Sequence, residues 1–142
     1  MPGSCDRSRK AAVVRSISPS YDNAVTGFFG TREPSREEAE GSHSAYVAAL
    51  RAHGTEVTVL PALAEHPDCC FTEDTAVIVG DAAIIPNMGH PSREGEQEAV
   101  VEHLAHSYEI TRMPKGLKLD GGDVVFYDDT YLIGVSTRTS KE

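Results

Sequence analysis

Apolar positions fall into short runs along the chain, and their spacing changes from one segment to the next. Residues 11–17 (AAVVRSI) are rich in β-branched side chains and read as a strand. Residues 26–35 (TGFFGTREPS) break that pattern with two glycines and a proline, loop composition whose glycines permit movement. Pro34 predicts a helix start. Ala39, His43, Tyr46, Leu50 and His53 then recur at intervals of three and four, which places them on one helical face, with Gly54 closing the helix. Glu56–Leu60 (EVTVL) returns to strand spacing and stops at Pro61.

The second half repeats a pattern. Residues 75–79 (TAVIV), a Gly80-Asp81 turn and Ala82–Ile85 predict a hairpin. Pro91 and Ser92 predict the opening of a helix that Ser92 caps, with Ala99, Val100, His103 and Leu104 as its apolar side, and a strand follows at 108–112. Residues 123–127 (DVVFY), an Asp128-Asp129 turn and residues 131–135 (YLIGV) then restart the hairpin. Acid precedes each hairpin (Glu73 and Asp74, then Asp120) and an arginine follows it (Arg93, then Arg138), 20 and 18 residues after Glu73 and Asp120 respectively. The copies begin roughly 48 residues apart, a period typical of repeat architectures. The second copy reaches Glu142 four residues after Arg138, where the first has a helix and a closing strand, so the chain is expected to be cut short, with apolar surface and a strand edge exposed on the last hairpin.

Composition narrows the function classes. At 142 residues, 39% hydrophobic and 25% charged, the chain has the makeup of one globular domain. A formal net charge of −9 disfavours nucleic acid and suits a cationic small molecule. No apolar run reaches membrane-span length. Three cysteines, Cys5, Cys69 and Cys70, make no disulfide framework, and a cytoplasmic location is the expectation.

Three constellations could carry chemistry. Asp68, Glu73 and Asp74 lie within seven residues at the mouth of the first hairpin, and a planar guanidinium with five N–H donors needs several carboxylates of this kind. The same stretch also reads as a solvated acidic loop. Asp120-Gly121-Gly122-Asp123 sets a carboxylate at the head of a strand, where it could orient a histidine; it reads equally as a glycine turn. Arg93 and Arg138 occupy equivalent places in the two copies and together suit a carboxylate ligand, whereas singly each is a surface charge. His103 and His106 lack third and fourth metal ligands at sensible spacing, so His103 is expected to pack on the apolar helix side. Cys69 and Cys70 would point to opposite faces if extended, so at most one reaches a site, and they read as inert thiols.

Five ordered stretches carry a resemblance: AVVRSISPSYDNAV, the LPALAEHPDCCFTED run, GHPSREGE, LDGGDVVF and GVSTRTS. From about Ala11 to Ser140 they closely resemble the dimethylarginine dimethylaminohydrolases, enzymes of the guanidino-group-modifying superfamily of five-bladed α/β propellers. The resemblance implies an α/β fold of ββαβ-type units, here a partial propeller, with residues 1–10 a flexible lead and 11–142 the amino-terminal part of the domain. It implies hydrolysis of methylated arginine to citrulline and a methylamine, with no cofactor and no metal. Asp68 and Asp74 match positions that hold the guanidinium, with Glu73 beside them. Arg93 and Arg138 match the arginines that grip the α-carboxylate, and Asp120 the acid that orients the general-base histidine. Val25 falls at a lid position usually held by leucine. Residues 86–89 (PNMG) depart from the usual Thr-Arg-Pro-Gly, which bears on a local loop.

The larger departure concerns the reacting groups. In the family a cysteine thiolate attacks the guanidinium carbon and a histidine supplies the proton. All six histidines here precede Asp120, and the last cysteine is Cys70. The chain is therefore expected to bind methylated arginine without turning it over, and to self-associate through exposed edges. The alternatives are a non-catalytic paralogue that binds guanidino ligands or a partner chain, and a fragment of an arginine or agmatine deiminase.

Overall fold

The computed structural model describes residues 10–25 and 35–142. The expectations for the amino-terminal lead, Cys5 and Pro34, and for all but the last residue of the 26–35 loop, fall outside those residues. The chain divides into two compact units, one over Lys10–Phe71 and one over Thr72–Glu142.

The first unit is built on strand β1 (Ala11–Arg15) and strand β2 (Glu56–Leu60), paired in parallel from Ala11 opposite Glu56 to Arg15 opposite Leu60. Parallel neighbours need a long crossover, and helix α1 (Arg36–Ala52) supplies it. Ser35 caps α1 by accepting the Glu38 N–H, and Glu37 and Glu38 place negative charge in its first turn. At the other end the Gly54 N–H bonds to the Arg51 carbonyl and the Thr55 N–H to the Leu50 carbonyl. That is a Schellman stop, and Gly54 makes the left-handed turn at φ 83°. The expected helix is thus present, but its inward line is Ala39, His43, Val47 and Leu50. Tyr46 and His53 are exposed and Val47 is the buried member, because α1 packs against β2 with that side inward. Val14, Val47 and Cys69 are the buried apolar side chains of this unit.

The second unit contains a three-stranded sheet and a separate hairpin. Strands β3 (Val77–Val79) and β4 (Ala82–Ile85) pair antiparallel around Gly80, whose φ of 60° fits a type II′ turn. Helix α2 (Glu98–Leu104) then leads to strand β5 (Glu109–Arg112), which joins β4 in parallel. Ala83, Ile85, Met88 and Val100 form the apolar centre. Strands β6 (Val124–Tyr127) and β7 (Thr130–Ile133) make the second hairpin, turning at Asp128 and Asp129 with positive φ at both, the type I′ signature. Phe126 and Tyr131 pair across it with ring centroids 5.0 Å apart. Val125, Tyr127, Leu132 and Ile133 are exposed, as expected for the last hairpin.

Two expectations here need correction. The helix does not open at Pro91-Ser92: those residues form a 3-10 turn, Gly95 follows at φ 95°, and α2 begins only at Glu98. Ser92 is not its cap; its N–H donates to His90 Nδ1 within the turn. The break is in the backbone: Glu94 is extended, with ψ 126°, and Gly95 takes a positive φ that no α-helix accommodates. His103 is exposed rather than packed, since Gln97, Val100, Val101 and Leu104 take the inward positions.

Candidate functional site

Within the second unit the two repeat copies meet at their entrances. Each hairpin is preceded by an acidic 3-10 turn, Thr72–Thr75 in the first copy and Gly121–Asp123 in the second. Gly122 donates its N–H to Asp74 Oδ1 at 2.9 Å. A Cβ at Gly121 would collide with the Glu73 carbonyl, and one at Gly122 with the Asp74 carboxylate. The double glycine is therefore a requirement of close approach as well as of turning.

Asp74 Oδ2 takes an ion-paired hydrogen bond from Arg93 Nη1. Arg93 also grips Glu96 Oε2 through Nε (3.0 Å) and Nη2 (2.7 Å). The Arg93 and Glu96 side chains are only 2% and 1% exposed, and Asp74 is 15% exposed. Two carboxylates on one guanidinium leave a surplus negative charge beside Glu73. Burial alone would lower the Arg93 pKa, but its bonds to Glu96 and Asp74 outweigh that and raise it. Crowding by protein atoms raises the Glu73 pKa; its own backbone hydrogen bond opposes this, while Asp74 adds to it and Arg93 offsets it.

A second cluster surrounds Asp120, which is buried. Its Oδ1 accepts the Gly89 N–H at 2.9 Å, and its own N–H donates to Thr139 Oγ1 at 3.2 Å. Thr139 Oγ1 in turn donates to Asp123 Oδ2. Arg138 Nε lies 3.1 Å from Asp120 Oδ2, yet among the described residues that oxygen accepts no well-aligned hydrogen bond. The Arg138 side chain is 36% exposed, far more than Arg93. Gly89 packs so tightly on Arg138 that a Cβ there would overlap its Cβ, Cα and carbonyl oxygen.

The segment 86–89, read from sequence as a local loop matter, is tied to this cluster. Asn87 Nδ2 donates to the Pro114 and Leu117 carbonyls at 2.8 Å each, and the Asn87 carbonyl accepts the Leu119 N–H. Those bonds seat Gly89 under Asp120. Glu96, Thr139 and Gly89 were not among the sequence candidates. The three-residue step from Arg93 to Glu96 is a helical charge-pair spacing and was the legible signal for one of them.

The first unit carries Asp68 and Val25. Asp68 is buried, and both its carboxylate oxygens stand 3.2 Å from the Val25 N–H, while the Val25 side chain is exposed. Burial raises the Tyr21 pKa, with Cys70 and Asp68 adding to the shift. Cys69 is fully buried and takes the Leu63 N–H on its sulfur, whereas Cys70 is half-buried; both lie in a turn, so the extended arrangement that would set them on opposite faces is not formed. Among the described residues no three His, Cys, Asp or Glu side chains converge as metal ligands, and no helix is long and apolar enough to cross a membrane.

Comparison with known proteins decides the family. The sequence profile described as "N,N dimethylarginine dimethylhydrolase, eukaryotic" matches residues 18–142. The chain belongs to the dimethylarginine dimethylaminohydrolase family. It is similar to the N(G),N(G)-dimethylarginine dimethylaminohydrolase of Pseudomonas aeruginosa, at 32% identity over 78% of this chain and 44% of that protein. The Streptomyces coelicolor enzyme of the same name is 32% identical over 92% of this chain and 51% of its own length. A crystal structure of the P. aeruginosa enzyme, a cysteine-to-serine variant complexed with citrulline, superposes with a TM-score of 0.88 at 29% identity, covering 94% of this chain and 52% of that one. The α/β fold is thus that of the family's crystal structures, and the chain spans about half the length of the relatives it matches. The amino-terminal domain of the arginine dihydrolase ArgZ shares the fold at 15% identity and a TM-score of 0.77.

Proposed function

We propose that this chain supplies the guanidine-recognising part of a hydrolase that converts N-ω-methylated arginine to citrulline and a methylamine. The observation that carries the reading is Asp74: a carboxylate anchored on both oxygens, by Gly122 and Arg93, with Glu73 next to it and a surplus negative charge around it. A planar guanidinium seeks acceptors of this kind, fixed in place before it arrives. Arg93 and Arg138 keep the α-carboxylate role that the family resemblance gives them, and the part exposure of Arg138 supports it there. Asp120 Oδ2, buried beside it, retains acceptor capacity for an imidazole N–H, the part of an orienting acid. Asp68, in the first unit, keeps the guanidinium-holding role that the family resemblance gives it. In the whole reaction a thiolate attacks the guanidinium carbon, the amine leaves with a proton from histidine, and water releases the product. No histidine follows Asp120 and no cysteine follows Cys70 in this chain, so the chain by itself binds without turnover.

Calorimetry on the full chain tests this. Dimethylarginine gives measurable heat, and Arg138→Ala or Asp74→Asn weakens binding about 10- to 100-fold, the loss expected for charge-assisted hydrogen bonds. No binding to any guanidino compound would remove the reading. Release of dimethylamine at enzymatic rates by the isolated chain would overturn the division between binding and turnover.

A further inference from the structure

Asp123, the second acid of the 120–123 stretch, stands at the base of the last hairpin. Val124 opens β6 opposite Ile133 of β7, so one step further out Asp123 meets Gly134, whose N–H donates to the Asp123 carbonyl at 2.9 Å. That register sets Asp123 beside the chain as it leaves β7 towards Arg138. Asp123 Oδ2 accepts two hydroxyls from that segment, Ser136 Oγ at 3.5 Å and Thr139 Oγ1. Each hydroxyl gives its proton to Asp123 and keeps a lone pair for a backbone N–H. Ser136 Oγ accepts the Arg138 N–H at 3.0 Å, and Thr139 Oγ1 accepts the Asp120 N–H at 3.2 Å. The Ser136 N–H donates to the Thr139 carbonyl at 3.1 Å, which closes the turn around Arg138. Thr139 is buried, so protein groups must satisfy its hydroxyl. Ala76 holds the corresponding place directly before β3 and has no acceptor side chain, so the arrangement belongs to the second copy alone.

We infer that Asp123 is a positioning residue for the carboxylate end of the site: by tying Ser136 and Thr139 to one oxygen, it fixes the turn that carries Arg138. The inference rests on the reading of Arg138 as an α-carboxylate grip. Arg138 is part-exposed, and a long side chain finds a ligand's carboxylate with less ordering cost when its backbone is already fixed. The two acids of the stretch then have separate parts. Asp120 Oδ2 keeps its capacity for an imidazole, and Asp123 holds the arginine turn that follows the hairpin.

The test compares the full chain with Asp123→Ala, using arginine and agmatine, which share a guanidinium and differ by the carboxylate. Calorimetry should show arginine affinity falling about tenfold and agmatine affinity changing by less than about twofold. Equal loss of both ligands, or no loss of arginine affinity, overturns the inference, because a merely structural residue would not separate the two. If Asp123→Ala unfolds, Thr139→Val and Thr139→Ser are compared in the same way: valine, without the hydroxyl, should reproduce the selective loss, and serine should restore arginine affinity. Amide hydrogen exchange supplies an arm that needs no ligand. In Asp123→Ala the Asp120 and Arg138 amides, bonded to the two hydroxyls, should exchange faster, while the Leu119 amide, bonded to the Asn87 carbonyl, keeps its rate. Unchanged exchange at Asp120 and Arg138 overturns the clamp. Absence of any guanidine binding by the native chain would sink the functional reading, and the exchange rates would still decide whether Asp123 holds the turn.

Discussion

Replacing Gly89 by alanine sets one methyl group against the backbone of residue 138. A Cβ built at Gly89 meets the Arg138 Cβ, Cα and carbonyl oxygen well inside van der Waals contact. Two of those three atoms are backbone, so rotation of the Arg138 side chain gives no relief. Overpacking of this kind costs about 1–3 kcal/mol. Backbone displacement at residue 89 also draws its N–H away from the buried Asp120 carboxylate, now 2.9 Å distant, and a hydrogen bond to a charged group is worth about 1.5–3 kcal/mol. The substitution should therefore destabilise the chain by about 3–5 kcal/mol, a large share of the ~5–15 kcal/mol available to a domain. Gly41→Ala is the control: it lies within helix α1 with nothing inside 4 Å of its Cβ, and should stabilise by about 0.5–1 kcal/mol. Urea unfolding followed by circular dichroism measures both. A Gly89→Ala protein with an unchanged midpoint would refute the close-approach argument, as would the two variants moving in the same direction.

Three further outcomes follow from the ion pairs and the last hairpin. Glu98→Ala breaks a pair whose partners are 57% and 51% exposed, so stability should change by no more than about 1 kcal/mol and the difference should fade in high salt. Arg112, chiefly through its hydrogen bond, holds the Glu98 carboxyl below its ordinary 4.5; the contribution exists above that pH and is lost as pH falls through the lowered value, so the variant and native curves should merge in acid. Glu73 has the opposite sign: its pKa is raised, so native stability declines as pH climbs from 4.5 towards the folded value. The Glu73 side chain is exposed, which screens the effect, so Glu73→Gln should be only slightly more stable than native at neutral pH and converge with it below pH 4.5; a constant difference across pH would contradict the assignment. Leu132→Lys, on the exposed side of β7, should alter folding stability by less than about 0.5 kcal/mol while lowering any self-association seen by sedimentation at high concentration; unchanged sedimentation of an associating chain would remove that face from the contact.

Local signals carried most of the element assignments. Glu56–Leu60 and Ala82–Ile85 stand as strands with the boundaries their β-branched runs suggest. The Asp128-Asp129 turn was legible because aspartate tolerates positive φ, and both residues adopt it. What local signals did not carry was which side of a helix another element would claim. Tyr46 and Val47 are adjacent and both apolar; β1 and β2 pair in parallel through α1, and only that tertiary arrangement makes Val47 the buried one. Pro91-Ser92 likewise promised a helix, and the extended Glu94 with the positive φ of Gly95 delays it to Glu98.

Repetition was the more reliable guide to the site than any single motif. Glu73 and Asp74 alone read as a solvated acidic loop, and Asp120-Gly121-Gly122-Asp123 alone as a glycine turn. Their equivalent places ahead of two hairpins implied that both turns sit at one end of the repeat, and Gly122 is bonded to Asp74 there. Repetition also paired Arg93 with Arg138, and the surroundings of the two differ. One arginine is enclosed by Asp74 and Glu96, and the other stands part-exposed beside Asp120. Glu96 stands three places after Arg93, and Lys141 holds the corresponding place after Arg138. Arg138→Ala should reduce ligand binding with little effect on folding, whereas Arg93→Ala, which leaves the buried Glu96 and the part-buried Asp74 without their cation, should cost about 3–5 kcal/mol in stability. Equal unfolding midpoints for the two variants would show that the two arginines are equivalent after all.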